Sequence, residues 1–597
     1  MKTTLFFFFI ISAVVSFGQV IPSERITDWS NSGIDVNFPD PTTVINVKEI
    51  GAIGNGTNND FQAISDAMDS LTGQAGVIYF PPGNYLIQSP LQLSDSIILR
   101  GAGSDSTILL FNLNSNPIPC VNISKSQNQT FIPLMSGLNK GSVKITVSNS
   151  SIFNPGDVIE IRQENGSWDT NPASWASYSV GQIVKVQSVS NDTLIINTPL
   201  RISLDTALHA EVRSLQPITN CGIECLSIQR LDSAASGSNI SLTYATQCRV
   251  MGIESNKSVG SHITITSSSH IEVKGCYFHD AFEYDGTSMH GYGVTIDHHS
   301  GDCLITNNIF KHLRHAMMVK TGANGNVFSY NFSTDVFRSE TPNDFSGDIS
   351  LHGHFAFANL FEGNIVENMI IDHYWGPSGP YNTFFRNRAD KYGIIMTTAT
   401  IETDNQNFAG NETTNTGLIM GQYYLTGTGH FQYGNNIKGS IIPTGTSTLT
   451  DTSYYLIVPP AFWYSYLNWA GIGPPASLNS GTIPAKHRYL FSTIKTVCGE
   501  IDSIPAVMKF IFAEGKLISV FPNPCVDHFQ IVGINEKDAI SLGLIDTKGS
   551  FFRLNRNLQI NNNANISCSI PEYLNEGIYF LVVKTPESIY YAKLLKQ

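Results

Sequence analysis

The sequence predicts an all-β chain built on a right-handed parallel β-helix, and three observations carry that expectation. Short β-branched segments recur at a fixed step between about 240 and 390. An asparagine keeps the same offset in successive repeats. Charged residues make up only 14% of the chain, while Gly, Asn, Ser and Thr abound, which favours strands and turns over long charged helices.

The repeat comes first. Cys248-Arg-Val-Met-Gly, Ile271-Glu-Val-Lys-Gly, Cys303-Leu-Ile-Thr-Asn, Asn326-Val-Phe-Ser-Tyr, Asn359-Leu-Phe-Glu-Gly and Asn382-Thr-Phe-Phe-Arg align at steps of 23, 32, 23, 33 and 23 residues. Two steps carry an insertion of roughly ten residues, and removing these leaves one period. A second strand accompanies each anchor: Ile240-Ser-Leu, Ile263-Thr-Ile, Val294-Thr-Ile, Met317-Met-Val and Ile349-Ser-Leu. Each alternates apolar and outward residues, as strands do. Asn308, Asn331, Asn364 and Asn387 follow their anchors by five residues. Stacked coils would set these amides in a hydrogen-bonded ladder. A helical solenoid of the same period fails, because no 3.6-residue apolar pattern appears.

The N-terminal part runs Ile45-Asn-Val-Lys-Glu-Ile-Gly-Ala-Ile-Gly-Asn-Gly-Thr-Asn-Asn-Asp-Phe-Gln-Ala-Ile, then Gly76-Val-Ile-Tyr-Phe-Pro-Pro-Gly-Asn-Tyr and Leu99-Arg-Gly-Ala-Gly. It resembles the opening of the pectate-lyase-like β-helix superfamily over roughly 43–395. The resemblance implies a strand followed by a helical cap that closes the stack, which an open edge requires. It is specific for fold, since the superfamily holds lyases, hydrolases, epimerases and phage adhesins. Between about 140 and 215 the pattern changes to Lys144-Ile-Thr-Val, Gly156-Asp-Val-Ile-Glu-Ile and Val184-Lys-Val-Gln-Ser-Val, read as a small inserted β-subdomain with the role of a structural flap.

The ends read as transport signals. Lys2, the apolar run Leu5 to Val15 and Ser16-Phe17-Gly18 form a signal peptide at 1–18, too short for a membrane span. A β-helix domain is expected over 19–498, a linker over 499–516 and a separate module over 517–597. That module has Ser519-Val-Phe-Pro-Asn-Pro-Cys-Val-Asp-His-Phe, Gly577-Ile-Tyr-Phe-Leu-Val-Val-Lys and a basic end, Lys593-Leu-Leu-Lys. It resembles the β-sandwich sorting domain of type IX secretion in Bacteroidetes. The resemblance implies the type IX machinery as partner and a secreted or outer-surface destination. The nine cysteines show no disulfide framework; Cys248, Cys276 and Cys303 read as buried thiols, while Cys525 and Cys568 are a possible pair. A net charge of −13 without a basic tract excludes nucleic acid as a general partner. The expected partner is an extracellular polysaccharide, and the expected state a monomer.

Chemistry is sought where the histidines gather: eleven of fifteen lie between His262 and His373. The outward position three after each strand's first inward residue gives Thr243, Thr266, Asp297, Lys320 and His352, with Asp372 next if its strand begins at Met369. Adjacent members would lie about 4.8 Å apart. His298, His299, His354, His373, Tyr374 and Trp375 flank this column, and the insertions, roughly 281–293 and 335–347, should wall it with Tyr284, His290, Tyr292, Arg338 and Glu340. A solvated polar ladder is the plain alternative. Walls, aromatics and titratable groups together favour a sugar-binding groove.

Spacing bears on the reaction. Hydrolysis needs two carboxyls about 5–10 Å apart. Asp297 and Asp372 would stand about 14 Å apart, though Glu340, Asp344 or Asp348 could complete another pair. Uronate β-elimination needs a base for the C5 proton, cations for the carboxylate and an acid for the leaving oxygen. Val319-Lys-Thr and Leu351-His-Gly also resemble the catalytic coils of chondroitinase B-like and alginate-cleaving lyases. There a lysine is the base and an arginine acts on the next coil. The resemblance puts Lys320 as the base, with His352 at the arginine's position. The acidic calcium ligands it implies are replaced by His312, Arg314 and His315. Basic side chains would then replace the metal, with a divalent cation such as Ca2+ an open alternative, as is a metal held by His352, His354 and His373.

The leading expectation is a secreted polysaccharide lyase acting on a uronate-containing glycan. Lys320 is the base, His352 the acid or carboxylate partner, and Asp297 the orienting group. Arg314, His315, His298, Arg338, His354, His373, Tyr374 and Trp375 bind substrate, and no resident metal is assigned. The alternatives are a glycoside hydrolase on the same fold and a non-catalytic glycan-binding surface protein.

Overall fold

The computed structural model describes residues 19–34, 38–464 and 466–498. Beyond these it describes 516–517, 519–521, 525, 528–532, 541–546, 551–553, 566–570, 574, 577–584 and 589–596. The apolar start at 1–18 and nearly all of the 499–516 linker lie outside the described residues.

The repeats stack as parallel, in-register strands on three faces of a right-handed β-helix. The anchor face contains Ala245–Met251, Ser269–Lys274, Leu304–Thr306, Val327–Ser329, Leu360–Glu362 and Thr383–Phe385. Its register runs from Val250 through Val273, Ile305, Phe328 and Phe361 to Phe384, the alignment the period implies. A second face, which carries the polar column, contains Ile240–Thr243, Ser261–Thr266, Tyr292–Asp297, His315–Val319, Ile349–Leu351 and Ile365–Ile371. The third stacks Glu254–Ser258, Tyr277–Ala281, Ile309–Lys311 and Phe332–Thr334.

One side chain per coil fills the axis. Phe328, Phe361, Phe384 and Phe408 are fully buried, and their stacked rings lie 5.0, 5.2 and 5.0 Å apart. That spacing is the coil rise itself. At the corner after the anchor face, Asn307, Tyr330, Gly363, Arg386 and Gly410 each adopt positive φ and turn the chain sharply. The residue that follows each is the ladder asparagine. Asn308, Asn331, Asn364, Asn387, Asn411 and Asn435 pass amide hydrogen bonds of 3.1, 3.0, 2.9, 3.1 and 3.0 Å from coil to coil. A second ladder, absent from the sequence reading, runs Asn326, Asn359, Asn382 and Gln406 at 2.9, 2.9 and 3.0 Å.

At the N-terminal end, Val44–Asn46 pairs with Gly76–Phe80, and the helix Phe61–Asp69 buries Ile64 and Ala67 against the first coils. The Asp60 carboxylate accepts from the backbone N–H groups of Ile53 and Gly54 at 2.6 and 3.0 Å, fixing the approach to that helix. The inserted region is a closed six-stranded antiparallel barrel of Ile132–Ser136, Lys144–Val147, Val158–Gln163, Val180–Ser190, Thr193–Ile196 and Glu211–Leu215, with its own apolar core. Its first strand lies ahead of the pattern read at about 140.

Segments 20–33 and 449–498 cover the outer side of the anchor face. Arg386 fastens the later segment by donating to the carbonyls of Leu449, Asp451 and Ile472. Cys225 and Cys498 form a disulfide that the scattered spacing did not reveal. Cys248, Cys276 and Cys303 are buried thiols in the core. In the C-terminal module, a five-stranded and a three-stranded sheet share a core that includes Cys525 and Cys568. Among the described residues, no helix is long and apolar enough to cross a membrane.

Candidate functional site

The strand register fixes the column. Thr243 pairs with Thr266 and Thr266 with Asp297. The pairs Ile296–Val319, Val319–Leu351 and Leu351–Ile371 then set Lys320, His352 and Asp372 on the next three coils. Asp297, Lys320, His352 and Asp372 all line an open cleft of about 1260 Å³. The first insertion supplies one wall with Gly286 to Met289, and the second with Arg338, Phe345 and Ser346. Glu340 ties the two insertions together, accepting from the Gly286 N–H at 2.6 Å.

His352 and Asp372 form a short side-chain contact in the cleft, with Nδ1 2.6 Å from Oδ2. Burial alone would raise the Asp372 carboxyl; the His352 charge and hydrogen bond outweigh it and hold the group below the usual carboxylate range. With Nδ1 committed, Nε2 is the ring nitrogen left for a ligand, the arrangement of a general base whose tautomer a carboxylate fixes. Lys320 Nζ lies 3.9 Å from Asp297 Oδ2, 4.9 Å from the centre of the Trp175 ring and 3.3 Å from Met289 Sδ. A carboxylate and an indole face are the partners an ammonium takes. Burial would likewise raise Asp297, but the charges of His298 and Lys320 hold it low.

His315 lies within the same cluster, its ring 5.8 Å from that of His352 and 4.9 Å from that of Tyr292. Burial first, then the Arg314 charge, pushes its imidazole down to about 3, so it is neutral, with Nδ1 against the Gly347 carbonyl at 2.9 Å. Arg314 donates to the Asp285 carbonyl at 2.9 Å and to the Tyr292 hydroxyl at 3.2 Å, and its buried Nε has no partner. Arg338 donates to the Pro342 carbonyl at 2.9 Å. Both guanidiniums line the cleft, and neither has an ion-pair partner among the described residues.

The remaining expected ligands are placed differently. His298 Nε2 bonds the Trp175 carbonyl at 2.8 Å, and His354, fully buried, holds the Asn171 carbonyl at 3.3 Å. Both secure a barrel segment through these nitrogens, and His298 also lines the cleft. His373 is buried between Thr397 and Thr403: Nδ1 lies 3.2 Å from the Thr397 hydroxyl, and Nε2 accepts from the Thr403 N–H at 2.8 Å. Tyr374 is 73% exposed at the rim, and Trp375 stands edge-on to Trp175, with ring centres 5.2 Å apart.

Among the described residues, His352, His354 and His373 do not bring their ring nitrogens together as a metal cluster. The positions where the resemblance implied acidic calcium ligands carry His312, Arg314 and His315, so that set does not fit a calcium ion. Among the described residues, one group could hold a cation: Glu283, Asp285 and His290, with ligand atoms within 4.8 Å of one another on the first insertion. The Thr287 hydroxyl and then His290 hold the Asp285 carboxyl down to about 2.

Sequence reasoning missed Trp175 in the cleft, because it arrives from the barrel, more than a hundred residues from Lys320. No local signal marks it.

A family model described as Rhamnogalacturonase A/epimerase, pectate lyase-like, matches residues 44–196, and one described as Secretion system C-terminal sorting domain matches 519–597. A stretch of 72 residues is 36% identical to the Mannuronan C5-epimerase AlgE6 of Azotobacter vinelandii, covering 11% of this chain and 8% of that one. The tailspike protein gp61 of Pseudomonas phage phi297 is similar in structure over 93% of this chain and 100% of its own, with a TM-score of 0.50 and 12% identity. An exopolygalacturonase from Thermotoga maritima aligns over 63% of this chain and 82% of its own, with a TM-score of 0.37 and 11% identity. At 12% identity the likeness to the tailspike is one of fold. Residues 44–196 thus match a pectate-lyase-like family model within a chain folded as a right-handed parallel β-helix, and the C-terminal type IX sorting domain directs the protein to the cell surface or the extracellular space.

Proposed function

We propose that the protein cleaves a uronate-containing extracellular polysaccharide by β-elimination, with His352 rather than Lys320 as the base. The observation that carries this is the 2.6 Å His352–Asp372 contact one coil from Lys320. His352 Nε2 takes the C5 proton while Lys320, aided by Arg314, neutralises the uronate carboxylate. The released electron pair forms the C4–C5 double bond, the C4–O4 bond breaks, and the imidazolium returns its proton to the departing O4. Asp372 stabilises that imidazolium and fixes the Nδ1–H tautomer. The name of the matching family model and that of the epimerase relative are consistent with chemistry at C5, because epimerisation begins with the same proton abstraction.

Against the hydrolytic alternative stands the spacing of the column carboxylates. Asp297 and Asp372 are three coils apart, about 14 Å, outside the range hydrolysis uses. Asp344 is paired with Lys391 at 3.0 Å, and Asp348 is buried against Ser333, Glu367 and Asn368.

The test is incubation with polygalacturonate, alginate, hyaluronan and chondroitin. Ultraviolet absorbance from unsaturated ends is expected with one of them. New reducing ends without that absorbance identify a hydrolase, and retention of polymer without cleavage identifies a binder. Asp372→Asn is expected to lower turnover about a hundredfold or more with polymer binding retained.

A further inference from the structure

A closed barrel buries its own core and needs no partner, yet this one is bolted to the β-helix beside the cleft. Arg201, fully buried, reaches from the barrel to Asp302 and donates to Asn324 Oδ1 at 2.9 Å. His299 Nδ1 lies 2.8 Å from Glu160 Oε1, and Asn324 donates to the Gly181 carbonyl at 3.0 Å. A flap that opens and closes would not bury ionic partners at its seam, because each opening would strand them.

The barrel connection 164–179 then runs over the column. Asn165 shapes it internally, donating to Asp169 at 2.7 Å and to the Ala176 carbonyl at 2.9 Å and accepting from Ser179 N–H at 2.7 Å. His298 and His354 pin it from below, and its own Asn171 donates to the Tyr374 carbonyl at 2.8 Å. This fixed segment carries one large apolar side chain into the cleft. Trp175 is 40% exposed there, with Lys320 over its ring and Trp375 beside it. The same cleft is lined by the guanidiniums of Arg314 and Arg338, which have no ion-pair partner among the described residues. A partly exposed indole on a tightly fastened loop, in a cleft that also presents Lys320 and two guanidiniums, matches a ligand that is apolar on one side and anionic on the other. A uronate pyranose has that character.

We propose that the barrel contributes a saccharide-binding subsite in which Trp175 packs against the apolar face of a pyranose in an acidic polysaccharide. The inserted barrel is thereby part of the substrate-binding surface, and three histidines of the repeat region serve to hold it in place. The subsite rests on the reading of the cleft as a site for acidic glycan, and its test reads binding apart from cleavage.

The experiment uses the full chain, isothermal titration calorimetry with oligosaccharides of the four polymers above, and gel retardation by the polymers. Trp175→Ala is expected to weaken binding about tenfold or more, and Trp175→Phe to restore most of it. Thermal unfolding of both variants is monitored so that a misfolded protein is not scored. On a cleaved substrate, the same loss appears in KM more than in kcat. A folded Trp175→Ala protein that binds as tightly as wild type overturns the subsite, as does a wild type that binds none of the four. A wild type that binds through Trp175 without releasing unsaturated ends overturns the elimination reaction and supports the subsite.

Discussion

Asn331→Ala tests the ladder at its centre. The side chain makes four buried hydrogen bonds: Nδ2 donates to the Ile305 carbonyl at 2.8 Å and to Asn364 Oδ1 at 3.0 Å, while Oδ1 accepts from Asn308 N–H at 3.0 Å and from Asn308 Nδ2 at 3.1 Å. Asn364 Oδ1 keeps a donor after truncation, the Asn331 backbone N–H at 3.0 Å. Asn308 Nδ2 likewise keeps a partner, the Val273 carbonyl at 2.9 Å. Two groups are therefore stranded: the Ile305 carbonyl and the Asn308 N–H. At ~1–2 kcal/mol for each stranded group, the loss is about 2–4 kcal/mol. A β-helix of about 400 residues unfolds with an entropy near 0.8 kcal/mol/K, so this corresponds to a fall in Tm of about 2–5 °C. Far-ultraviolet circular dichroism on heating measures it. Asn331→Asp should cost more, because it sets a buried charge against the Ile305 carbonyl and Asn364 Oδ1. An Asn331→Ala protein melting within a degree of wild type would refute the claim that the ladder holds the stack.

Two further outcomes follow from the cleft and the core. If Lys320 acts as a cation, Lys320→Ala loses about a hundredfold or more in kcat/KM while Lys320→Arg keeps measurable turnover; equal inactivity of both returns the lysine to the role of base. His262 is buried and held down to about 3 from 6.5, first by burial and then by the His279 charge. Its depressed value means that its contribution is complete above 6.5 and is lost as pH falls toward 3. Buried Asp348 and Glu362, both pushed up to about 7, act in the opposite direction, so the difference between proteins is the useful quantity. Relative to wild type, His262→Gln should gain about 1.4 kcal/mol for each pH unit below 6.5, measured by denaturant unfolding at several pH values. A difference that stays constant from pH 7 to 4 would contradict this.

The features legible in the sequence share one cause. In a parallel in-register stack, residues at equal offsets lie directly above one another, so a period read along the chain becomes a distance in space. That is why Asp297, Lys320, His352 and Asp372 could be aligned before any coordinates, and why Asn308 to Asn387 could be read as a ladder. The second ladder was hidden because Asn326, Asn359 and Asn382 served as anchors of the alignment, although they too point inward. What stayed illegible depends on contacts without a period. The docking of 164–179 on the column, the partners of His298 and His354, and the Cys225–Cys498 bridge join segments between 121 and 273 residues apart. The histidine cluster looked catalytic because residue type and neighbourhood were visible, whereas the carbonyls from Trp175 and Asn171 were not.

The bridge between Cys225 and Cys498 closes a covalent ring of the chain. Both inserted walls and every column residue from Asp297 to Asp372 lie within this ring, and the barrel lies outside it. Those walls are surface excursions of the kind proteases cut first. A single cut in either one would leave an open chain rather than two fragments, with the halves of the cleft still tethered through sulfur. Such a nicked molecule would migrate as one species until reduced, and its stacked coils would keep the cleft assembled in an extracellular setting where cutting is common and reduction is rare.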